Sequence, residues 1–289
     1  MQLCFIPFRH KTNCLISAAT ILTDKRSMKL YIIKIGGNVI DNSANLHQFL
    51  KDFAALDGLK VLVHGGGKVA TQISSSLGIE AKLVDGRRIT DIETLRVVTM
   101  VYAGLINKNM VAQLQRYHNN AIGLTGADGN FLKARKRSVK TIDYGFVGDL
   151  DKDSVQAEGI AKLLDASFTP VFCALTHDGD GQLLNTNADT IAAALAVSLA
   201  KIYETTLIYC FEKKGVLQDI DDEDSLISEI DPERYEKLKL EKIVSEGMLP
   251  KLDNAFDAIK SGVKEVIIGQ ADELHFLGKK KKFGTLLKS

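Results

Sequence analysis

Leu30-Tyr31-Ile32-Ile33-Lys34-Ile35-Gly36-Gly37 and, further along, Lys60-Val61-Leu62-Val63-His64-Gly65-Gly66-Gly67 are the stretches that decide the fold. Each is a short, apolar, β-branched run that stops in glycine, the pattern of a strand buried on both faces. Such a strand leaves unhindered backbone N–H groups at the carboxyl edge of a parallel sheet, where α/β proteins bind ligands. Lys34 adds a primary amine to that edge. After the second run a helix starts at Lys68, so free N–H groups and the helix dipole face an anion together. One such loop alone is more readily a plain strand-to-helix turn; two in one chain point to phosphate handling. Neither loop carries G-x-x-x-x-G-K-[ST] or G-x-G-x-x-G, which excludes the P-loop and the dinucleotide fingerprint.

Working outward, short apolar runs alternate with longer amphipathic ones, as in βαβ units around a parallel sheet. Strands are expected at 30–35, 60–64, 120–124, 170–175, 204–211 and 265–268, and helices at 46–56, 68–77, 92–118, 154–166, 190–199 and 251–261. Glycine-punctuated segments at 82–89, 129–135, 145–150 and 177–184 are expected to be hairpins. The predicted fold is α/β, a three-layer αβα sandwich with a mainly parallel central sheet. No Pro/Ser linker divides the chain, so two lobes, 28–200 and 201–289, would meet at a hinge near Lys201. The apolar run Ile92–Leu114 is the expected source of a homodimer interface, or else core.

The 289 residues carry a formal net charge of +1, which argues against a nucleic-acid binder working by phosphate neutralisation. A small-molecule partner is expected, and no run approaches the length of a membrane span. Cys4, Cys14, Cys173 and Cys210 form no C-x-x-C pair, and the last two sit in apolar strand-like runs, so reduced thiols and a cytoplasmic location are expected. Residues 1–27 form an N-terminal extension with three open readings: a segment without function ahead of a start at Met28, an organelle presequence carrying Arg9, Lys11, Lys25 and Arg26, or a helix over Cys14–Leu22 for oligomer contacts.

Five elements in order, Lys34-Ile35-Gly36-Gly37, His64-Gly65-Gly66-Gly67, Gly86-Arg87-Arg88-Ile89-Thr90, Asn185-Thr186-Asn187-Ala188-Asp189 and Gly247-Met248-Leu249-Pro250-Lys251, resemble the amino-acid kinase family, closest to its acylglutamate branch. The likeness runs from Met28 to Gly284-Thr285 and implies the family fold. It implies transfer of the ATP γ-phosphoryl group, with Mg2+, to the side-chain carboxylate of N-acetyl-L-glutamate, a step of arginine biosynthesis. Such a carboxylate is already ionised and needs no general base, so positioning and charge neutralisation should dominate.

By this resemblance Lys34 and Lys251 flank the transferring phosphoryl group, and Asp189 orients both ammonium groups while also serving as a helix cap. Arg88 contacts the substrate α-carboxylate, whereas alternation sends Arg87 to the opposite face. Asn185 contacts the acylated substrate, with backbone donors from Gly65 and Gly66 nearby. Gly36, Gly37, Lys213 and Gly215 face the nucleotide. No metal-ligand set is expected. One departure stands out: where the family's acetylglutamate members usually carry Ser/Thr-Asp, this chain has Phe211-Glu212, which leaves the adenine and ribose contacts open. Lys213 or Lys214 could supply compensating phosphate contacts.

Other features read more plainly. His177-Asp178-Gly179-Asp180-Gly181 lacks Gly and the terminal Glu at the positions a calcium loop requires and is expected to be a hairpin turn. The acidic stretch Asp219–Asp224 and the lysine run Lys279–Lys282 are expected to be solvated faces. His64 is given no proton-transfer role. Two alternatives stay open, an N-succinylglutamate or carrier-linked aminoadipate kinase, and a non-catalytic amino-acid sensor. The joint presence of Lys34, Asp189 and Lys251 weighs against the sensor.

Overall fold

The computed structural model describes residues 25–84, 87–219, 221–241, 243–244, 248–279 and 283–289. Gly86, Gly247, Lys280–Lys282, Cys4, Cys14 and the proposed helix over Cys14–Leu22 lie outside the described residues.

The elements run β1 (Lys29–Ile35), α1 (Gly37–Asp41), α2 (Ser43–Ala54), β2 (Leu59–His64), α3 (Gly67–Ser76), β3 (Leu83–Val84), β4 (Arg87–Arg88), α4 (Ile92–Thr99) and α5 (Asn107–Arg116). They continue with β5 (Ala121–Leu124), β6 (Arg135–Lys136), β7 (Gly148–Asp149), α6 (Ala157–Asp165), β8 (Thr169–Cys173), β9 (Leu175–His177), β10 (Leu183–Asn185), α7 (Ala188–Leu199) and β11 (Glu204–Phe211). The chain closes with β12 (Glu229–Ile230), α8 (Pro232–Leu240), α9 (Leu249–Lys260), β13 (Glu265–Gln270) and β14 (Thr285–Leu287).

Among the described residues one sheet has the order β12-β14-β13-β11-β1-β2-β8-β5. All its pairs are parallel except β13 with β14. Strand order reverses beside β1: the chain builds β2, β8 and β5 on one side, then crosses to β11 and β13 on the other. In open α/β sheets the crevice at such a switch point is where ligands bind. Both faces are covered. On one, α7 packs over β1, β2 and β11, flanked by α6 and α9. On the other, α2 and α5 pack together, with α5 against β5 and β8. Ile32, Ile33, Leu62, Val63, Leu207 and Ile208 are fully buried, as strands covered on both faces require. The expected boundary near Lys201 falls between α7 and β11, and β11 pairs directly with β1 along Lys29–Ile35.

Several boundaries differ from the sequence reading for identifiable reasons. Helix α2 begins at Ser43 because Asn42 accepts from the N–H groups of Ala44 and Asn45. The expected strand at 170–175 divides into β8 and β9. The segments at 129–135 and 145–150 are not separate hairpins: Arg135–Lys136 pairs antiparallel with Gly148–Asp149. Within the segments expected to be hairpins at 82–89 and 177–184, Leu83–Val84 pairs antiparallel with Arg87–Arg88, and Leu175–His177 pairs antiparallel with Leu183–Asn185. The helix expected over 92–118 ends at Arg116 and contains a π-helical stretch, Met100–Ile106. Such turns cluster at functional sites, and this one places Tyr102 and Ile106 against Gly66, where a Cβ would collide with Ile106. Buried Cys173 and Cys210 have thiols pushed up to about 12 by desolvation, which makes them inert in the core.

Candidate active site

The carboxyl ends of β1, β2 and β11 open onto two cavities. The larger, of about 690 Å³, is bordered by Gly65–Gly67, Arg88, Tyr102, Arg137 and Asn185. The smaller, of about 430 Å³, is bordered by Gly36, Gly37, Lys68, Phe211, Lys213 and Gly215. Lys34, Gly37, Asp189 and Lys251 border both, so the two spaces meet at these groups.

Lys34 is the penultimate residue of β1, in register with Val63 and Tyr209, and its Nζ lies 2.7 Å from Asp189 Oδ1. Asp189 belongs to the first turn of α7. It was expected to double as the cap, but Asn187 takes that role, accepting from the N–H groups of Asp189 and Thr190. The Asp189 carboxylate is therefore left to the lysines. Lys251 comes from α9, with its Nζ 3.9 Å from the Phe211 ring centroid. Lys34 Nζ is 5.2 Å from the same centroid. Phe211, stacked on Tyr209, thus gives both ammonium groups a π face. Desolvation holds the Lys251 pKa below the ordinary lysine range, Asp189 opposes that shift, and Lys34 adds to it.

Two cations beside one carboxylate leave a net positive charge at the junction, as a transferring phosphoryl group requires. The glycine turns serve it in different ways. A Cβ on Gly37 would meet nothing within 4 Å, so the space above it is open to a ligand rather than filled by protein. Gly215 is bound to packing as well: a Cβ there would approach Thr285 Oγ1 to 2.5 Å, in the turn where that hydroxyl accepts from the Val216 N–H. Lys213 borders the smaller cavity, while Lys214 turns to Glu223 and Asp224.

In the larger cavity, Arg88 Nη2 donates to Gly67 O at 2.9 Å and to Thr71 Oγ1 at 2.7 Å, while its Nη1 is buried without a partner. That unspent donor is what an anionic ligand would complete. Asn185 Nδ2 donates to Thr90 Oγ1, which leaves its amide oxygen for a ligand. Arg87, expected on the opposite face, is exposed yet borders the same cavity, since a two-residue strand enforces alternation only weakly. The sequence reading missed Tyr102, Arg137, Tyr209 and Asn254, which border the larger cavity, and gave Lys68, directly after the second glycine run, only as a helix start although it borders the smaller one.

The sequence profile of the amino acid kinase family matches residues 29–270. The chain belongs to the amino acid kinase family. It is 59% identical to the acetylglutamate kinase of Cytophaga hutchinsonii over 261 residues, covering 90% of this chain and 98% of the relative. It is 52% identical to the acetylglutamate kinase of Bacteroides fragilis over 88% of this chain and 97% of the relative. Among solved structures, smu.665 from Streptococcus mutans superposes with a TM-score of 0.70 at 25% identity, over 90% of this chain and 98% of that one. N-acetylglutamate synthase from Neisseria gonorrhoeae, at 21% identity, shares the fold with a TM-score of 0.75 over 96% of this chain and 64% of that one.

The donor set bears on Mg2+. No group of three or more His, Cys, Asp or Glu side chains able to hold a metal occurs among the described residues. The one carboxylate common to both cavities, Asp189, is committed to Lys34. No helix among the described residues is long and apolar enough to cross a membrane.

Proposed function

We propose that this amino acid kinase is an acetylglutamate kinase, transferring the γ-phosphoryl group of ATP to the side-chain carboxylate of N-acetyl-L-glutamate in arginine biosynthesis. The observation that carries the reading is the placing of Lys34, Asp189 and Lys251 where the two cavities meet. Arg88 and Asn185 in the larger cavity suit an acylated amino acid, and the glycine turns with Lys213 in the smaller suit a nucleotide. The acceptor carboxylate is ionised at neutral pH, so no side chain has to remove a proton. The chain's contribution is alignment of two anions that would otherwise repel, with Lys34 and Lys251 offsetting charge on the phosphoryl oxygens and the leaving diphosphate. Mg2+, carried on the phosphates, would supply further charge neutralisation there. Exposed Ile92, Met100 and Leu105 along 92–116 support a homodimer using that helix, and the buried thiols suit a reducing cytoplasm.

A second reading, N-succinyl-L-glutamate as acceptor, is favoured by one observation: Arg87 and Arg137 border the larger cavity in addition to Arg88. Arg137 is already paired through Nε and Nη2 with Asp149, so Arg87 would have to meet the extra carboxylate. Incubation with MgATP and either acylglutamate in hydroxylamine traps the acyl phosphate as a hydroxamate. Product with N-acetyl-L-glutamate, at a higher kcat/KM than with the succinyl compound, is expected. No hydroxamate above a substrate-free control would sink the kinase reading.

Phe211 gives a further prediction. Phe211→Leu keeps most of the bulk but removes the π face, a loss of about 1 kcal/mol for a partly desolvated cation and so roughly five-fold in kcat. Because the ring favours the charged amine, the alkaline limb of kcat/KM should move to lower pH. A pH profile that superposes on the wild type would rule the contact out of function.

A further inference from the structure

Beneath the second glycine loop, a short chain of hydrogen bonds leaves one ring proton a single place to sit. Val171 O can only accept, and Asn107 Nδ2 lies 2.9 Å from it, which settles which end of the Asn107 amide faces this region. The same Nδ2 lies 3.0 Å from His64 Nε2. An amide NH2 can only donate, so Nε2 must offer its lone pair and the ring proton must be on Nδ1. Nδ1 in turn lies 2.8 Å from Gly65 O, another pure acceptor. The Asn107 amide oxygen faces Lys108 Nζ at 3.3 Å, which agrees with this orientation, and Lys108 Nζ also donates to Gly123 O.

The consequence lies on the other side of a peptide plane. The Gly65–Gly66 bond is trans, so its C=O and N–H point in opposite directions. With the carbonyl drawn down to His64, the Gly66 N–H is turned away from the buried ring, and Gly65–Gly67 border the larger cavity. No described group accepts from that N–H, and no side chain caps α3. Gly66 itself has φ +151°, a conformation that favours glycine, and is clamped by Tyr102 and Ile106 of the π-helical stretch, whose last residue precedes Asn107.

We propose that His64, locked in its Nδ1–H tautomer by Asn107, is a positioning residue that holds the Gly66 N–H toward the transferring phosphoryl group. His64 is fully buried, and desolvation, reinforced by the nearby Lys108 charge, lowers its pKa to about 4, so the ring is neutral under working conditions. It moves no proton in the reaction. The role rests on the kinase reading only for its kinetic consequence; the tautomer stands without it.

Two substitutions separate positioning from packing. His64→Asn places an amide NH2 near the former Nδ1, while His64→Gln places its polar group near the former Nε2 and leaves Gly65 O without a donor. His64→Asn is expected to retain kcat within about ten-fold, and His64→Gln to lose about 100-fold, the lower end of the range for removing one donor that stabilises transition-state charge, with KM for ATP little changed. Equal kcat in the two variants would overturn the proposal, because a packing role does not distinguish the two ends of the ring. If either variant fails to fold, 15N chemical shifts of the histidine rings in the wild-type protein decide the matter. An Nδ1–H tautomer for His64 at pH 7 is expected, and an Nε2–H tautomer would overturn the proposal whether or not the protein turns over any acylglutamate.

Discussion

Lys34→Ala is expected to lower kcat by about 10²–10³-fold, the range for removing one group that stabilises transition-state charge in a dry site, while KM for N-acetyl-L-glutamate changes little. Lys34 Nζ sits at the seam between the cavities, held by Asp189 at 2.7 Å, and the residue is only 8% exposed. Its charge meets the phosphoryl oxygens most closely in transit, so its loss falls on kcat rather than on ground-state binding. Lys251→Ala is expected to behave similarly, and the double variant to lose less than the product of the two, since both act on one group. The Lys251 pKa, already held low by desolvation, adds a pH signature. The charged form disappears as pH rises through a value below the ordinary lysine range, so kcat/KM should fall on the alkaline side at a correspondingly low pH. Bound phosphates, restoring the charged form, should push the limb in kcat upward. Near-wild-type turnover in Lys34→Ala, with thermal unfolding unchanged, would remove Lys34 from the chemistry.

Those two lysines mark how far local sequence could reach. The strand ends carrying Lys34 and His64 rest on neighbours in the chain, β-branched runs and glycine, and were legible. The start of α7 was placed two residues late, at 190 with Asp189 as the cap, although Asn187 lies just ahead in the chain. The helix Pro232–Leu240 was equally legible but went unread, although Asp231, which accepts from the Arg234 N–H, and proline at the first helical position announce it. The π-helical stretch was not legible. Its cause is tertiary, the demand that Tyr102 and Ile106 reach Gly66 while Asn107 reaches His64 and Val171, and no residue pattern within 92–116 states that demand. Phe211-Glu212 illustrates the opposite case. In sequence it was a departure that put nucleotide contacts in doubt, and only the fold brings the ring beneath both ammonium groups.

Arg88→Ala is expected to raise KM for N-acetyl-L-glutamate about 30-fold, the equivalent of the roughly 2 kcal/mol typical of a hydrogen bond to a charged group, and to leave KM for ATP unchanged. Nη2 is spent on Gly67 O and Thr71 Oγ1, which fixes the guanidinium plane, and Nη1 is buried without a partner. A carboxylate there would satisfy it and pair its charge, in the ground state and the transition state alike, which is why the effect belongs in KM. Arg88→Lys should recover little, because one ammonium cannot both hold the Gly67 loop and address a substrate in the fork geometry of a guanidinium. The same Nη2 contacts raise a competing outcome. If the alanine variant instead lowered kcat with KM unchanged, Arg88 would act by bracing the loop that carries Gly66, and the substrate carboxylate would have to be met elsewhere in the cavity. Unchanged kcat with raised KM places the carboxylate at Nη1, since a loosened glycine loop would slow the transfer step as well.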